Sequence, residues 1–232
     1  MPDGSAIRAM FAGISGRYDL LNRILSLGID RGWRRRTVEA VAGPGERAPR
    51  RIVDLCCGTG DLSLALASRG LSVTGVDFCH EMLLLGRRKA APLGEGAPRM
   101  IEADALALPF ADGLYDGATV AFGVRNLENL DRGLAEAARI LRSGGILAVL
   151  EFASARGPLL KVLYRLYLNG LVPLVGRMLT RDGGAYGYLS SSIQAFEDQS
   201  TFPPRLRRAG FTSVNCTELT GGIAALYTAV KP

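Results

Sequence analysis

The chain has 232 residues, of which 48% are hydrophobic and 22% charged, so it suits one α/β domain with an insertion and is not an intrinsically disordered protein. Its formal charge of +6 favours an anionic partner (nucleic acid, an anionic membrane surface or an acidic protein) without choosing among them. The four cysteines form no CxxC pair, and His80 is the single histidine, so we expect reduced cysteines that fill apolar space, a cytoplasmic protein and no metal site.

The first 45 residues predict two helices that form an N-terminal cap. Apolar residues recur at helical spacing from residue 6 onward, and Ser26-Leu27-Gly28 interrupts the pattern. A second helix is predicted from Asp30, whose side chain can cap it. The stretch from Gly43 to Pro49 is typical of a linker to the next part of the chain.

Short apolar strands alternate with helices over residues 50–153. The predicted strands are 51–55, 71–76, 99–103, 115–122 and 145–152, and the predicted helices are 61–68, 81–90 and 128–141. This alternation is typical of a doubly wound, mostly parallel sheet, in which ligands bind at the carboxyl ends of the strands. Asp61, Asp77, Asp104 and Gly123 all fall at those ends, which makes this segment the predicted cofactor-binding half.

The segment after the fifth strand departs from the alternation. Residues 158–180 are rich in Leu, Val and Tyr, but polar or helix-breaking residues interrupt them at every fourth position: Lys161, Arg165, Asn169, Pro173 and Arg177. That pattern excludes a membrane span and predicts a helix whose polar stripe lies opposite an apolar face, which consists of Leu160, Leu163, Leu166, Tyr167 and Val175. The helix then either packs on the core with its polar stripe in water, or covers an apolar pocket or lipid headgroups.

The end of the chain predicts a helix at 204–209 and strands at 212–218 and 223–230, the two strands forming an antiparallel hairpin through Gly221-Gly222. With these strands the predicted sheet has seven strands. We therefore predict a single domain with an N-terminal helical cap (1–45), a cofactor-binding half (50–153), a helical substrate-covering insertion (154–200) and a final helix with antiparallel strands (201–232).

A glycine-rich turn, Gly58-Thr59-Gly60, follows the first predicted strand. Glycines let the backbone approach a ligand, and the start of the following helix favours an anionic group. Asp77, at the end of the second strand, is placed to accept hydrogen bonds from ribose hydroxyls. The third glycine of the dinucleotide fingerprint is missing, and Asp54, four residues before Gly58, points to S-adenosylmethionine instead. A plain strand-to-helix turn is the alternative interpretation.

Several segments together resemble a known family: Tyr18–Asn22 with Trp33, Phe122–Asn126, Arg139–Gly145, Leu150–Phe152, Tyr188–Ile193 and Gly222–Tyr227. They are similar to the menaquinone and ubiquinone biosynthesis C-methyltransferases. The resemblance implies the class I S-adenosylmethionine methyltransferase fold and methyl transfer to a ring carbon of a prenylated quinol. Three positions depart from the family pattern: Asp30 replaces a histidine, Ser143 a proline and Ala121 a serine. The last change removes one cofactor hydrogen bond, worth about 1 kcal/mol.

The resemblance and the strand ends together assign contacts to S-adenosylmethionine. The methionyl part is expected at Gly58, Thr59 and Gly60, the ribose at Asp77, and the adenine at Asp104 and the Ala105 N–H, with Ala121 beside the cofactor. For Asp104, a plain turn or cap role is the alternative.

Methylation of a quinol ring carbon needs a hydroxyl, with a pKa near 10, to lose its proton. Arg125 is a poor base but can stabilise the resulting phenolate, and Asn126 can orient a hydroxyl. Tyr18 and Asp19 are expected to close over the cofactor from the N-terminal helix. Candidates for the quinol and prenyl pocket are Tyr186, Tyr188, Ile193 and Phe196. Ordinary structural roles are the alternative for each residue.

The sequence therefore favours a cytoplasmic enzyme that methylates demethylmenaquinol. Because the substrate dissolves in lipid and no span is predicted, we expect peripheral contact with the inner face of the membrane. The alternatives are the benzoquinol intermediate of ubiquinone synthesis, another acceptor such as RNA, and a non-catalytic scaffold subunit. No nucleic acid is expected, since no RNA-binding appendage is recognisable, and the incomplete glycine fingerprint disfavours a nicotinamide-dependent oxidoreductase. A homodimer is left open.

Overall fold

The computed structural model describes residues 3–43, 50–172, 184–196 and 200–232. Within them, seven strands form one sheet: β1 (Arg51–Leu55), β2 (Ser72–Asp77), β3 (Arg99–Glu102), β4 (Tyr115–Ala121), β5 (Leu141–Phe152), β6 (Thr212–Leu219) and β7 (Ala224–Val230). The strand order is β3-β2-β1-β4-β5-β7-β6, and β7 runs antiparallel to both of its neighbours while the other pairings are parallel. The predicted doubly wound, mostly parallel sheet and its final hairpin are confirmed.

The helices of the described residues are α1 (Gly4–Ser26), α2 (Asp30–Ala42), α3 (Asp61–Ala67), α4 (His80–Ala90), α5 (Leu130–Ile140), α6 (Pro158–Leu166), α7 (Gly184–Ala195) and α8 (Phe202–Arg208). A π-helical turn, Tyr167–Leu171, continues α6. α7 lies within the predicted helical insertion (154–200), but the sequence did not predict its bounds, because its two glycines and three consecutive serines have low helix propensity.

Helices cover both faces of the sheet, which is why its central strands are apolar along their whole length. Neighbouring residues of β1 point to opposite faces: Ile52 packs with α2 and α3, and Val53 packs with α5 and α8. Both side chains are completely buried. The covered faces leave the carboxyl edge of the sheet as the place where a ligand can bind.

The junction between α1 and α2 differs from the prediction that Asp30 caps α2. Asp30 is the first residue of the helix, and Ile29 holds the N-cap position without a side-chain hydrogen bond. The Asp30 carboxylate instead accepts a hydrogen bond from Ser26 Oγ (2.7 Å) and pairs with Arg34. The left-handed turn at Leu27 and Gly28 brings Ser26 within reach of Asp30 and thereby fixes the angle between the two helices.

The inward face of α6 agrees only in part with the predicted apolar face. Leu163 and Leu166 of that face are 53% and 66% exposed. Leu160 and Tyr167 of that face are half-buried, as predicted, and Val175 lies outside the described residues. Tyr164, which is half-buried, and Leu168, which is buried, also turn inward, although neither was assigned to that face. Leu160, Tyr164 and Leu168 follow the four-residue helical repeat, and since α6 is apolar on both sides, hydrophobicity identified the inner face only in part. No helix in the described ranges is long and apolar enough to cross a membrane.

The cysteines are free thiols, as expected for reduced cysteines. Cys79 is buried, and Cys56 and Cys57 are partly buried near the glycine turn. Cys216 does not fill apolar space: it is exposed, because β6 is an edge strand that pairs only with β7 in the described sheet.

Candidate active site

The turn after β1 has a backbone that glycine makes accessible. Gly58 and Gly60 have φ angles of +56° and +80°, and a Cβ at Gly60 would lie 2.5 Å from Met100 Cε. The Gly58 N–H donates a hydrogen bond to Asp77 Oδ2 at 2.8 Å. The turn therefore folds back onto the end of β2 and places a backbone amide beside the Asp77 carboxylate.

The ends of β1 and β4 approach each other closely. A Cβ at Gly123 would lie 2.4 Å from Cys56 Cβ, so a larger residue at that position would force the two strand ends apart. Cys56 and Phe122 themselves have positive φ angles of 53° and 58°. Non-glycine residues in this left-handed conformation store strain and occur preferentially at functional sites.

A cavity of about 100 Å³ opens between α1 and the carboxyl ends of the strands, and we call it the strand-end cavity. Residues predicted from the sequence to bind the cofactor or take part in catalysis line it: Tyr18, Gly58, Asp77, Asp104, Ala105, Ala121 and Asn126. Thr59 and Gly60 lie in the adjacent turn and do not contribute to its lining. The fold thus gathers residues from α1 and from the ends of β1, β2 and β4 around one space.

Asp77 is the buried acid of the strand-end cavity. Its Oδ2 accepts from the Gly58 N–H, and its Oδ1 accepts from the Cys79 N–H at 2.9 Å. Burial raises the pKa of this carboxyl, and the backbone hydrogen bonds oppose that shift. Since each carboxylate oxygen has two lone pairs, both oxygens keep one site for a further donor. Two adjacent hydroxyls, as on a ribose, match that requirement.

Asp104 and Ala105 lie at the end of β3. Asp104 Oδ1 accepts a hydrogen bond from the Leu106 N–H at 2.8 Å, so the side chain stabilises its own turn. Asp104 is exposed, whereas Ala105 is buried. The turn role that the sequence left as the alternative is therefore present, and it holds both residues against the cavity.

A cluster of charged and polar side chains fastens α1 to the glycine turn, and we call it the α1 latch (Asp19, Thr59, Asp61 and Lys89). Thr59 Oγ1 donates to Asp19 Oδ1 at 2.5 Å. Lys89 Nζ donates to Asp19 Oδ2 at 2.8 Å and to Thr59 Oγ1 at 3.2 Å, and it pairs with Asp61. The Thr59 hydroxyl and the Asp19 carboxylate thus serve this contact and do not face the strand-end cavity.

The Lys89→Met variant is expected to loosen α1. It leaves the carboxylates of Asp19 and Asp61 close together without their shared cation, so α1 should exchange its amide hydrogens faster and the Kd for S-adenosylmethionine should rise about tenfold. Hydrogen exchange and calorimetric titration measure the two effects. Arg88→Met is the matched control, because it removes an exposed charge from α4, the helix that carries Lys89. Unchanged exchange in α1 would show that the latch does not hold the helix.

A larger cavity of about 310 Å³ adjoins the first, and we call it the helix-covered cavity. Its lining is mostly apolar and comes from α1, α2, α6, α7 and the ends of β4 and β5. Phe11, Tyr18 and Phe122 line both cavities and form the boundary between them. The arrangement places a small site that contains the Asp77 carboxylate and a large apolar site on the two sides of one aromatic wall.

Among the residues predicted for substrate, Tyr188 and Ile193 line the helix-covered cavity. The Tyr188 hydroxyl donates to Asn126 Oδ1 at 3.0 Å and so links the two cavities. Phe196 lies elsewhere, with its ring 5.5 Å from that of Phe202 against the core, and we leave it out of the proposed pocket. The side chain of Tyr186 lies outside the described part of the chain.

Arg125 reaches the helix-covered cavity and forms a buried ion pair. Its Nη1 donates to Glu151 Oε1 at 2.7 Å and also to the Phe122 carbonyl, and its guanidinium lies 5.4 Å from the centre of the Phe152 ring. Glu151 is completely buried, and this burial raises the pKa of its carboxyl while Arg125 opposes the shift. Glu151 therefore fixes the position of the guanidinium.

Two buried oxygen atoms beside Arg125 have no hydrogen-bond partner within the described residues, namely Glu151 Oε2 and the Tyr164 hydroxyl. Burial raises the pKa of Tyr164, so this hydroxyl stays protonated at neutral pH. Unpaired polar groups of this kind are costly unless a ligand or water satisfies them. Tyr164 lines the helix-covered cavity together with Arg125, so its hydroxyl is available there to a polar group of a ligand.

Asp54, the acid that precedes the glycine turn, forms buried hydrogen bonds that hold together the elements around the site. Its Oδ2 accepts from Ser63 Oγ at 2.6 Å and its Oδ1 accepts from Thr119 Oγ1 at 2.8 Å. These bonds connect β1 to α3 and β4. Burial raises the pKa of Asp54 to about 6, and the two hydroxyl donors oppose that shift.

The Asp54→Asn variant is expected to remove part of the pH dependence of stability. With a folded pKa of about 6 against an ordinary value of 3.8, the carboxyl favours the folded state most below pH 3.8, and that contribution is lost as the pH rises to about 6. Asparagine does not ionise, so the variant should gain about 3 kcal/mol relative to the native protein across this window. Urea unfolding of both proteins at several pH values measures the difference between their free energies of unfolding. A difference that stays constant across this pH window would contradict the prediction.

Sequence reasoning assigned no role to Phe122, Lys89 or Glu151, and it included Tyr164 only as part of the segment 158–180 that was a candidate for the substrate pocket. Glu151 carried a signal, because it is a lone carboxylate in an otherwise apolar strand, and such a group needs a charged partner when it is buried. Lys89 and Asp19 are 70 positions apart, and no local pattern connects them.

Comparison with known families gives a match over residues 3–231 to the ubiE/COQ5 methyltransferase family. The demethylmenaquinone methyltransferase of Thermus thermophilus is 44% identical over 225 residues, which cover 96% of this chain and all of the relative. The ubiquinone/menaquinone biosynthesis C-methyltransferase UbiE of Geobacter sp. is 40% identical over 232 residues, with 98% and 97% covered.

Solved structures share the fold at low sequence identity. The Haemonchus contortus phosphoethanolamine N-methyltransferase 2 in complex with S-adenosyl-L-methionine has a TM-score of 0.65 at 14% identity and covers 87% of this chain and 52% of its own. The [4+2]-cyclase SpnF has a TM-score of 0.66 at 16% identity, with 100% and 97% covered. These likenesses concern the fold alone, and the family follows from the sequence match over almost the full length: the chain belongs to the ubiE/COQ5 methyltransferase family.

Proposed function

We propose that this protein methylates a ring carbon of demethylmenaquinol with S-adenosylmethionine as the methyl donor. The observation that carries the proposal is the pair of adjoining cavities. A smaller cavity with the buried Asp77 carboxylate meets a larger apolar cavity with Arg125 across the wall of Phe11, Tyr18 and Phe122. Relatives at 41–44% identity that are named for menaquinone synthesis support the same activity.

The residues of the strand-end cavity suit S-adenosylmethionine. Gly58 lines this cavity with a φ angle of +56°, a conformation that a side chain would strain, so glycine keeps the backbone accessible to a ligand there. Asp77 would hold the ribose hydroxyls, and Asp104 with the Ala105 N–H would hold the adenine. Bound there, S-adenosylmethionine supplies a methyl group that is already a strong electrophile, so the chain has mainly to orient the acceptor and exclude water.

The residues of the helix-covered cavity suit a prenylated quinol. Its apolar lining accommodates a prenyl chain, and the polar groups at the Arg125 end suit the hydroxyls of the ring. The fixed guanidinium of Arg125 stabilises a phenolate and so raises the acidity of a hydroxyl whose ordinary pKa is near 10. The hydrogen bond between Tyr188 and Asn126 holds both side chains where they can orient the ring.

The benzoquinol intermediate of ubiquinone synthesis is the second candidate acceptor. The relatives named UbiE support it, because their names cover both quinone pathways. The apolar cavity accepts either ring by chemistry, since both are prenylated and both carry an acidic hydroxyl. A scaffold subunit without turnover is disfavoured by the placement of Arg125 beside the boundary between the two cavities.

We further propose that the protein works at the inner face of the membrane without crossing it. The prenylated substrate resides in the bilayer, and the positive charge of the chain favours contact with anionic headgroups. The cytoplasmic location and a homodimer stay predictions. The proposed division keeps residues 1–45 and 154–200 as the parts that cover the cofactor and the quinol.

The test is methyl incorporation from labelled S-adenosylmethionine into a short-prenyl demethylmenaquinol and into the benzoquinol intermediate, each kept reduced. Transfer to the naphthoquinol that is lost in the Asp77→Ala variant is the expected result. Transfer only to the benzoquinol would instead assign the protein to ubiquinone synthesis. Binding of S-adenosylmethionine without transfer to either acceptor would overturn the quinol assignment.

A further inference from the structure

The exposed apolar side chains of this protein are concentrated in two places. Of the ten large hydrophobic residues that are exposed within the described ranges, eight belong to the α1–α2 corner or to α6: Leu20, Ile24, Leu27, Ile29, Leu159, Val162, Leu163 and Leu166. Single exposed leucines are ordinary on a protein surface, but a contiguous group of them marks an interaction site. We call the two groups together the leucine rim.

The two parts of the leucine rim meet at the opening of the helix-covered cavity. Leu27 and Ile29 from the corner line that cavity, and so does Leu163 from α6. Leu27 is 83% exposed and Leu163 is 53% exposed, so each contacts both the cavity and the surroundings. The largest apolar cavity of the site therefore opens through an apolar surface and not through a polar one.

Positive charges predominate around the rim. Residues 154–172 contain Arg156, Lys161 and Arg165 and no acid, and of these three cations Arg156 pairs with Glu218. Residues 20–36 contain five arginines, and their single acid, Asp30, is paired with Arg34. Lys161 and Arg165 are exposed and occupy α6 beside the leucines. Long cationic side chains next to exposed leucines match an interface between anionic headgroups and acyl chains.

The same charges disfavour a second copy of the chain as the occupant. A two-fold contact sets a surface against itself, so it would bring the cations of one rim close to those of the other. An anionic bilayer instead neutralises them, so each basic residue near such a surface strengthens the attachment.

We propose that the leucine rim is a membrane-docking surface that seats the mouth of the helix-covered cavity on the acyl chains of an anionic bilayer. Its leucines enter the interface, and Lys161 and Arg165 contact the headgroups. A prenyl tail then passes from lipid into the cavity without crossing water. The role of this surface in supplying substrate rests on the proposed function, whereas the docking itself does not.

The docking is tested with vesicles of phosphatidylglycerol and phosphatidylcholine and without any quinol. The native chain should bind them, and Leu159→Ser/Leu166→Ser should bind at least tenfold more weakly, since two exposed leucines that do not line the cavity lose their insertion. Leu84→Ser/Leu93→Ser, which changes two exposed leucines that lie outside the rim, is the matched control and should bind like the native chain.

A charge variant distinguishes the insertion of the leucines into the bilayer from the electrostatic attraction of the basic residues to its headgroups. Lys161→Gln/Arg165→Gln should lose binding to anionic vesicles, and raising the salt concentration should weaken the native chain but change this variant less. Vesicle binding by Leu159→Ser/Leu166→Ser equal to that of the native chain would overturn the proposal. The proposal would also be overturned if the native chain did not bind the vesicles. A native dimer in solution that becomes a monomer in Leu159→Ser/Leu166→Ser would overturn it too.

Activity distinguishes this proposal from the proposed function. With a short-prenyl quinol dispersed in solution, Leu159→Ser/Leu166→Ser should turn over at the native rate. With a long-prenyl quinol in anionic vesicles, its rate should fall at least tenfold. If the native chain binds vesicles through the rim but methylates neither substrate, the docking surface stands and the quinol assignment fails.

Discussion

The Asp77→Ala variant is expected to bind S-adenosylmethionine at least a hundredfold more weakly than the native protein. It removes both oxygens that are placed for the ribose hydroxyls, and hydrogen bonds to a charged group are worth more than neutral ones. It also removes the acceptor that holds the Gly58 N–H, so the glycine turn loses its contact with the end of β2. Calorimetric titration with the cofactor measures the loss.

Asp77→Asn is the matched control for Asp77→Ala, because it keeps the shape of the side chain and removes its charge. An asparagine keeps one acceptor oxygen but places a donor where the second oxygen was, so the Cys79 N–H or the Gly58 N–H loses its partner. Binding should be intermediate, and thermal unfolding of both variants shows how much of the loss comes from stability. Cofactor affinities within threefold of the native value for both variants would remove Asp77 from the site.

The Arg125→Met variant is expected to lower kcat at least a hundredfold and to destabilise the fold by about 3 to 5 kcal/mol. The first effect follows from losing the fixed cation beside a developing phenolate. The second follows because Glu151 is completely buried and would remain charged without a partner, or would have to take up a proton. Steady-state kinetics and urea unfolding measure the two effects independently.

The double variant Arg125→Met/Glu151→Leu separates chemistry from packing. Replacing both members of a buried ion pair by apolar residues of similar size is often neutral for stability, so the double variant should recover most of the lost stability. Its kcat should stay as low as that of Arg125→Met. Recovery of native kcat together with stability would show that Arg125 only fills and neutralises the core.

The strands were predictable because β1, β2, β4 and β5 are buried on both faces and therefore appear as short apolar runs. The position of the site was predictable as well, since a parallel sheet places its functional loops at the carboxyl ends of its strands. Asp77, Asp104 and Ala105 line one cavity for that topological reason.

Other parts of the site depend on contacts that no local pattern reveals. The Thr59 hydroxyl was expected to face the cofactor, but Asp19 and Lys89 engage it through the fold of α1. Tyr164 and Leu160 pack toward the cavity and so define the inner face of α6. The sequence revealed this face only in part, because α6 is apolar on two sides. The glycines and serines of α7 have low helix propensity, so tertiary contacts have to stabilise that helix.

The aromatic wall between the cavities has a consequence for the order of events in one catalytic cycle. Phe11 and Tyr18 belong to α1, and each contributes to both cavities. On the proposed function, a prenyl tail in the larger cavity would contact the same helix that lines the site of the nucleoside. If nucleoside exchange requires α1 to move, it also requires an empty apolar cavity. We therefore expect an ordered mechanism, in which the lipid enters last and leaves first while the methyl donor and its product exchange only between lipids.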